Sequence, residues 1–164
     1  MNEHMKAEKE KQIQEEVKQI FTDWLNEKKG RKTPERFAIL QEMYSRNDHV
    51  DAETLFNDLK RKKISVSRAS VYNTLELLVE CNLVKRHHFQ PNIAHFEKAY
   101  GNRQHDHLIC IECSEVFEFC DPRMHGITSK MSQLLNFKVE SHSLIIQAHC
   151  QGCNKPQSPV KRTK

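Results

Sequence analysis

Two C-x-x-C pairs, Cys110-Ile111-Glu112-Cys113 and Cys150-Gln151-Gly152-Cys153, constrain this chain more than any other feature. Each is a turn that offers two thiolates to one ion, and four thiolates close a tetrahedron around Zn2+. Such a site has no open position, so it is structural and its binding energy is also folding energy. A redox dithiol would need only one pair. Cys81 and Cys120 have no partner by spacing and read as ordinary core or surface thiols.

A structural metal suits the chain's size. Its 164 residues fit one medium domain or two small ones, and small halves usually need a metal or a partner subunit for adequate stability. No apolar run reaches the ~18 residues that would span a bilayer, and residues 1–19 are charged throughout, without a signal-peptide stretch. The expected location is therefore cytoplasmic, with no membrane partner. Thiols stay reduced there, which again favours metal over disulfides. The net charge of +4 permits nucleic-acid binding without demanding it. Arg31, Lys32, Arg36, Lys60, Arg61, Lys62, Lys63, Arg68, Lys85 and Arg86 nevertheless all lie before residue 90, a plausible phosphate-facing surface.

Apolar periodicity places a first helix through Ile13, Val17, Ile20, Phe21, Trp24 and Leu25, ending near Gly30. Thr33-Pro34 starts a second, Asp51 caps a third and Ser67 caps a fourth running from Arg68 to about Glu80. Leu83 to Phe89 and Ile93 to Lys98 then read as a hairpin around Gln90-Pro91-Asn92. Helices followed by a two-stranded wing, with a basic loop before the last helix, are the order of a winged helix-turn-helix. Beyond a hinge at 99–104 come strands His105 to Cys110 and Val116 to Phe119, a helix from Pro122 to about Leu135, and a long strand from Phe137 to His149. The second half is thus α/β with a small antiparallel sheet.

His105-Asp106-His107 lies on a strand, so alternation points His105 and His107 to one face and Asp106 to the other. The first face has Glu118 on the neighbouring strand, with His49 and Glu97 able to reach across the hinge. Mixed imidazole and carboxylate ligands suit Fe(II), Mn(II) or Zn(II), held less exclusively than by thiolate. On the other face Asp106 can meet His125 and His142. His4, His87, His88, His95 and His149 read as surface residues without a ligand role.

These residues resemble the ferric uptake regulator family from about Arg31 to Cys153. The similar pieces are Arg31 to Arg36 (RKTPER), His49 to Phe56 (HVDAETLF), Ala69 to Leu75 (ASVYNTL), His95 to Glu97, His105 to Cys113, Val116 to Phe119 and Ser141 to Leu144. The resemblance implies an α+β protein: an N-terminal extension and first helix (1–30), a winged-helix DNA-binding domain (31–98), a hinge (99–104), a metal-binding dimerisation domain (105–153) and a disordered tail (154–164). It implies a homodimeric, metal-responsive repressor on palindromic double-stranded DNA, with a structural Zn2+ and a sensory site of His49, Glu97, His105, His107 and Glu118. That site would hold Fe2+, with Mn2+ or Zn2+ able to substitute. Tyr72 and Asn73 would take base-reading positions and Lys32 would lie near the minor groove, with Lys62, Arg68 and Ser70 on the same DNA face. The sequence departs from the family at the second metal site, where Gln104 and His125 stand in place of a histidine and an acid. The alternatives are a zinc-uptake or peroxide-sensing regulator, Glu118 in place of Asp favouring iron, or a zinc-dependent hydrolase, for which no H-E-x-x-H is present.

Overall fold

The computed structural model describes residues 3–90 and 92–153; the tail expected from residue 154 and the centre of the Gln90-Pro91-Asn92 turn fall outside them. The chain divides into two compact units, Met1–Asn102 and Arg103–Lys164.

In the N-terminal unit, helix α1 (Glu3–Glu27) buries Val17, Phe21 and Leu25, one residue per turn along a single stripe. The next three helices begin where the sequence offers a side-chain oxygen to an orphan backbone donor. Thr33 accepts from the Arg36 N–H at 3.4 Å to start α2 (Pro34–Tyr44). Asp51 accepts from Thr54 at 2.9 Å to start α3 (Ala52–Arg61), and Ser67 from Ser70 at 3.0 Å to start α4 (Arg68–Glu80). Their inner faces, with Ile39, Met43, Leu55, Leu59, Leu75 and Leu78, complete one core.

The wing is β2 (Val84–Gln90) antiparallel to β3 (Ile93–Lys98). A third strand, β1 (Val50–Asp51), pairs with β3 and gives the order β1-β3-β2. Two residues are too few for alternation to show in a sequence. Their effect is local and large: Val50 lies opposite Phe96 and Asp51 opposite His95, so the antiparallel register brings His49 beside Glu97.

The C-terminal unit contains β4 (Asp106–Cys110), β5 (Val116–Phe119), α5 (Arg123–Leu135) and β6 (Ile145–Ala148). The sheet order is β5-β4-β6, with β4 antiparallel to β5 and parallel to β6. Two sequence expectations are corrected here. The sheet is mixed rather than antiparallel, and the long strand 137–149 shrinks to four residues. The backbone before β6 finds other partners: the Phe137 N–H closes α5 on the Ser132 carbonyl, Gln104 donates to the His142 carbonyl, and the Leu144 N–H donates to Asp106 Oδ1 at 3.0 Å. With these groups taken by side chains and a helix end, the stretch reaches β4 through the Leu144 carbonyl, which accepts from the His107 N–H at 3.0 Å just before the β6 ladder begins. Among the described residues of this unit, Ile109 and Cys110 are the buried apolar side chains, while Ile127, Met131, Leu134, Leu135, Phe137 and Val139 are exposed.

Candidate metal centres and nucleic-acid interface

Parallel pairing of β4 with β6 sets Cys110 opposite Ala148, so both strands end on the same side of the sheet and each runs straight into its C-x-x-C turn. The first turn is tied by the Ser114 N–H to the Cys110 carbonyl at 2.9 Å and the Cys110 N–H to the Glu115 carbonyl at 3.0 Å. Ser114 takes a left-handed φ of 60° there. The four sulfurs converge, with Sγ–Sγ separations of 3.3 Å (Cys110–Cys153), 3.7 Å (Cys113–Cys150) and 3.0 Å (Cys150–Cys153), all four lying within 4.8 Å of one another. A tetrahedral zinc with bonds of about 2.3 Å has edges of about 3.8 Å, so the cluster fits that ion. The electrostatics agree. Backbone N–H groups of Cys113 and then Cys150 bring the Cys110 thiol down to about 6, while Cys150, Cys110 and Cys113 in turn push Cys153 up. Four thiolates this close need a cation to ionise together.

On the same sheet His107 lies directly across from Glu118. His105 Nε2 is 4.0 Å from Glu118 Oε1, and the His105 and His107 rings are 4.8 Å apart. His105 Nδ1 lies 2.9 Å from the Arg103 carbonyl; a carbonyl can only accept, so Nδ1 carries the proton and Nε2 offers its lone pair, the usual outer support of a metal-binding histidine. The expected ligands of the C-terminal unit therefore share one face.

The N-terminal unit holds a cluster of its own. Glu97 is buried on β3, with His49 Nε2 at 3.5 Å from Oε2 and His87 Nε2 at 2.9 Å from Oε1. His87, expected at the surface, is buried. The signal was available in strand parity: His87 pairs with His95 and Lys85 with Glu97, so His87, Phe89, His95 and Glu97 share one face. His95 is half-buried on that face, whereas His88 and His149 are exposed, His149 on Glu112 at 2.9 Å.

The second candidate site is only partly assembled. His142 Nε2 lies 3.6 Å from Oδ2 of the buried Asp106. His125 is exposed on α5, and no group of three close ligand atoms among the described residues includes it. Asp106 has a structural occupation instead, accepting the Leu144 N–H.

On the expected DNA face, Tyr72 and Asn73 are exposed on α4 and Lys32 is exposed before α2. The other three are engaged. Lys62 is ion-paired to Glu42 at 2.6 Å. Arg68 holds Glu53 at 2.9 Å and stacks over Phe56, and Ser70 donates to Glu35 Oε2 at 2.8 Å. Sequence patterning found the basic residues but not their carboxylate partners.

Comparison with known proteins draws these features together. The profile described as the ferric uptake regulator family matches residues 27–147. The chain is 31% identical over 125 residues to the ferric uptake regulation protein of Haemophilus ducreyi, covering 76% of this chain and 83% of that one. Among solved structures, the Vibrio cholerae ferric uptake regulator is similar at a TM-score of 0.64 and 29% identity, covering 77% of this chain and 96% of that one. The Pseudomonas aeruginosa ferric uptake regulator with manganese is similar at 0.70 and 27%, covering 79% and 97%.

Proposed function

Since the chain belongs to the ferric uptake regulator family, and is thus a metal-responsive transcription regulator rather than an enzyme, we propose that it is an iron-responsive repressor. It acts in the cytoplasm as a homodimer on palindromic operators when its sensory site is filled. No described helix is long and apolar enough to cross a membrane. The observation that carries the proposal is that each unit presents an imidazole–carboxylate face, His49 with Glu97 in one and His105 and His107 with Glu118 in the other.

In this scheme those five residues are ligands of one ion, and the four cysteines hold a separate zinc. A sensory Fe(II) supplies bonds to donors of both units at once. His49 immediately precedes β1, which runs straight into α3, and α3 packs with α4 in the core, so a ligand at residue 49 is coupled through a short strand to the helix carrying Tyr72 and Asn73. Moving a two-state equilibrium from 1:99 to 99:1 needs ~5.5 kcal/mol of preferential binding, within the reach of several metal–ligand bonds. The apolar side chains exposed around α5 supply a face for a second copy, and a two-fold dimer reads two-fold DNA. Imidazole and carboxylate donors accept Fe(II), Mn(II) or Zn(II) alike; iron is favoured by Glu118, where peroxide sensors tend to have Asp, and by the names of the relatives. The P. aeruginosa relative was solved with manganese, which supports Mn(II) as a substitute.

The test is His49→Ala. It leaves folding, structural zinc and dimerisation intact but removes the dependence of operator binding on added Fe(II) or Mn(II). His105→Ala does the same, and the double variant is little worse than either single one, because ligands of one ion act as a unit. Retention of wild-type metal dependence in His49→Ala, or simple addition of the two losses, would overturn the scheme.

A further inference from the structure

We propose that His87 is a metal ligand, so that the N-terminal unit alone carries a three-ligand half-site of His49, His87 and Glu97 for a divalent first-row cation. This rests on the sensory-site proposal above, which takes only His49 and Glu97 from this unit.

The two oxygens of the Glu97 carboxylate each face one imidazole Nε2, His87 at 2.9 Å from Oε1 and His49 at 3.5 Å from Oε2. Donor atoms bonded to one ion at about 2.1 Å lie about 3.0–3.4 Å apart for right-angle to tetrahedral geometry. The two separations span that interval, and the three ligand atoms lie within 4.8 Å of one another. Two imidazoles and a carboxylate with open positions form a set suited to Fe(II).

Two further features hold the rings in place. Phe89 stacks on His87 with centroids 5.1 Å apart and planes at 9°, and meets the edge of His49 at 5.1 Å. One aromatic side chain thus fixes both imidazoles and walls the site with apolar surface, which strengthens charge–ligand interactions. In addition, the β2–β3 register shifts between His87 and Gln90. An irregularity there changes the twist and re-aims neighbouring side chains, a device common beside functional sites.

Ligation by His87 has a consequence for selectivity. Together with the five sensory ligands it makes six donors, the count an octahedral ion accepts and a four-coordinate zinc does not. The metal preference is then written partly in the wing.

The experiment uses the full-length protein with its cysteine site zinc-loaded. Mn(II) affinity is measured by electron paramagnetic resonance of the free ion, and Co(II) coordination by its d–d absorption. His87→Ala weakens Mn(II) at least about tenfold, shifts the Co(II) spectrum toward lower coordination and affects Zn(II) less. In a His105→Ala/His107→Ala background, Co(II) still binds the half-site, and adding His87→Ala abolishes that binding. His87→Gln retains an Nε2 donor toward Glu97 but is a poor ligand, so it fails to restore affinity; should His87→Ala not fold, this variant carries the test. Restoration by His87→Gln, or wild-type affinity and spectrum in His87→Ala, would overturn the proposal. His49→Ala run in parallel separates the two ideas. If it loses Mn(II) while His87→Ala does not, the sensory site stands and the sixth ligand falls; if neither loses Mn(II), the sensory site itself is wrong.

Discussion

Lys62→Ala separates two roles that a basic residue near DNA can have. Glu42 is buried, and its carboxylate lies 2.6 Å from the Lys62 ammonium, whose side chain is 54% exposed. Removing one partner of a fully buried pair costs about 3–5 kcal/mol, but here water reaches the lysine, so screening reduces the loss to about 1 kcal/mol. For a unit of this size that lowers Tm by about 4–8 °C. Trp24 is the single tryptophan of the chain and packs against the N-terminal core, so its fluorescence reports melting of that unit. DNA binding is then titrated with salt. A lysine neutralising one phosphate contributes about 0.9 to the log–log slope; an ammonium already shared with Glu42 contributes less, so the slope falls by well under that amount. The double variant Lys62→Met/Glu42→Gln recovers most of the stability, since no carboxylate is left unpaired. A Lys62→Ala protein with unchanged Tm and a slope reduced by the full 0.9 would refute this reasoning and make Lys62 a plain phosphate contact.

Cys113→Ser removes one of four converging sulfurs in a unit with few buried apolar side chains, so it loses its tightly held zinc and its dimeric state together, read by metal analysis and sedimentation. Asn73→Ala, at an exposed position on α4, reduces the ratio of operator to random-DNA affinity by about 1–3 kcal/mol, while leaving the salt slope alone. Asp58 is pushed up by burial but more strongly down by Arg46 and Arg61, ending below its ordinary 3.8. Its contribution is therefore complete above about pH 4 and lost as pH falls through the depressed value, so Asp58→Asn flattens the acid limb of the Trp24 melting profile.

The fold was most legible where local chemistry decides structure. Thr33, Asp51 and Ser67 are helix caps because a short polar side chain before an apolar period has few other uses, and all three cap. The two C-x-x-C turns were legible for a similar reason: two thiolate pairs at that spacing have the pattern of a four-sulfur metal site. Patterning failed where tertiary partners decide. Residues 137–144 have the composition of a strand, but the Phe137 N–H goes to α5, the His142 carbonyl to Gln104 and the Leu144 N–H to Asp106. Lys62, Arg68 and Ser70 looked like free members of a basic face, yet each is matched with an acid distant in sequence, Glu42, Glu53 and Glu35.

The corrected sheet bears most directly on the metal chemistry. In an antiparallel arrangement β4 and β6 would end at opposite edges, and their C-x-x-C turns could not share an ion without long connections. Parallel pairing requires a crossover, which β5 and α5 provide. The same register puts His107 opposite Ile145 and Cys110 opposite Ala148, so the imidazole face and the thiolate cluster lie at successive levels of one strand only three residues apart. Loss of the proposed zinc at Cys110 would therefore loosen the strand that aims His105 and His107, whereas loss of the proposed sensory ion would leave the four sulfurs tied by their own turns. The coupling is asymmetric in structural terms: Cys113→Ser should abolish sensory binding of Mn(II), while His107→Ala should leave zinc content unchanged. Zinc release from His107→Ala at the concentrations where wild type retains it would show that the two centres stabilise each other equally.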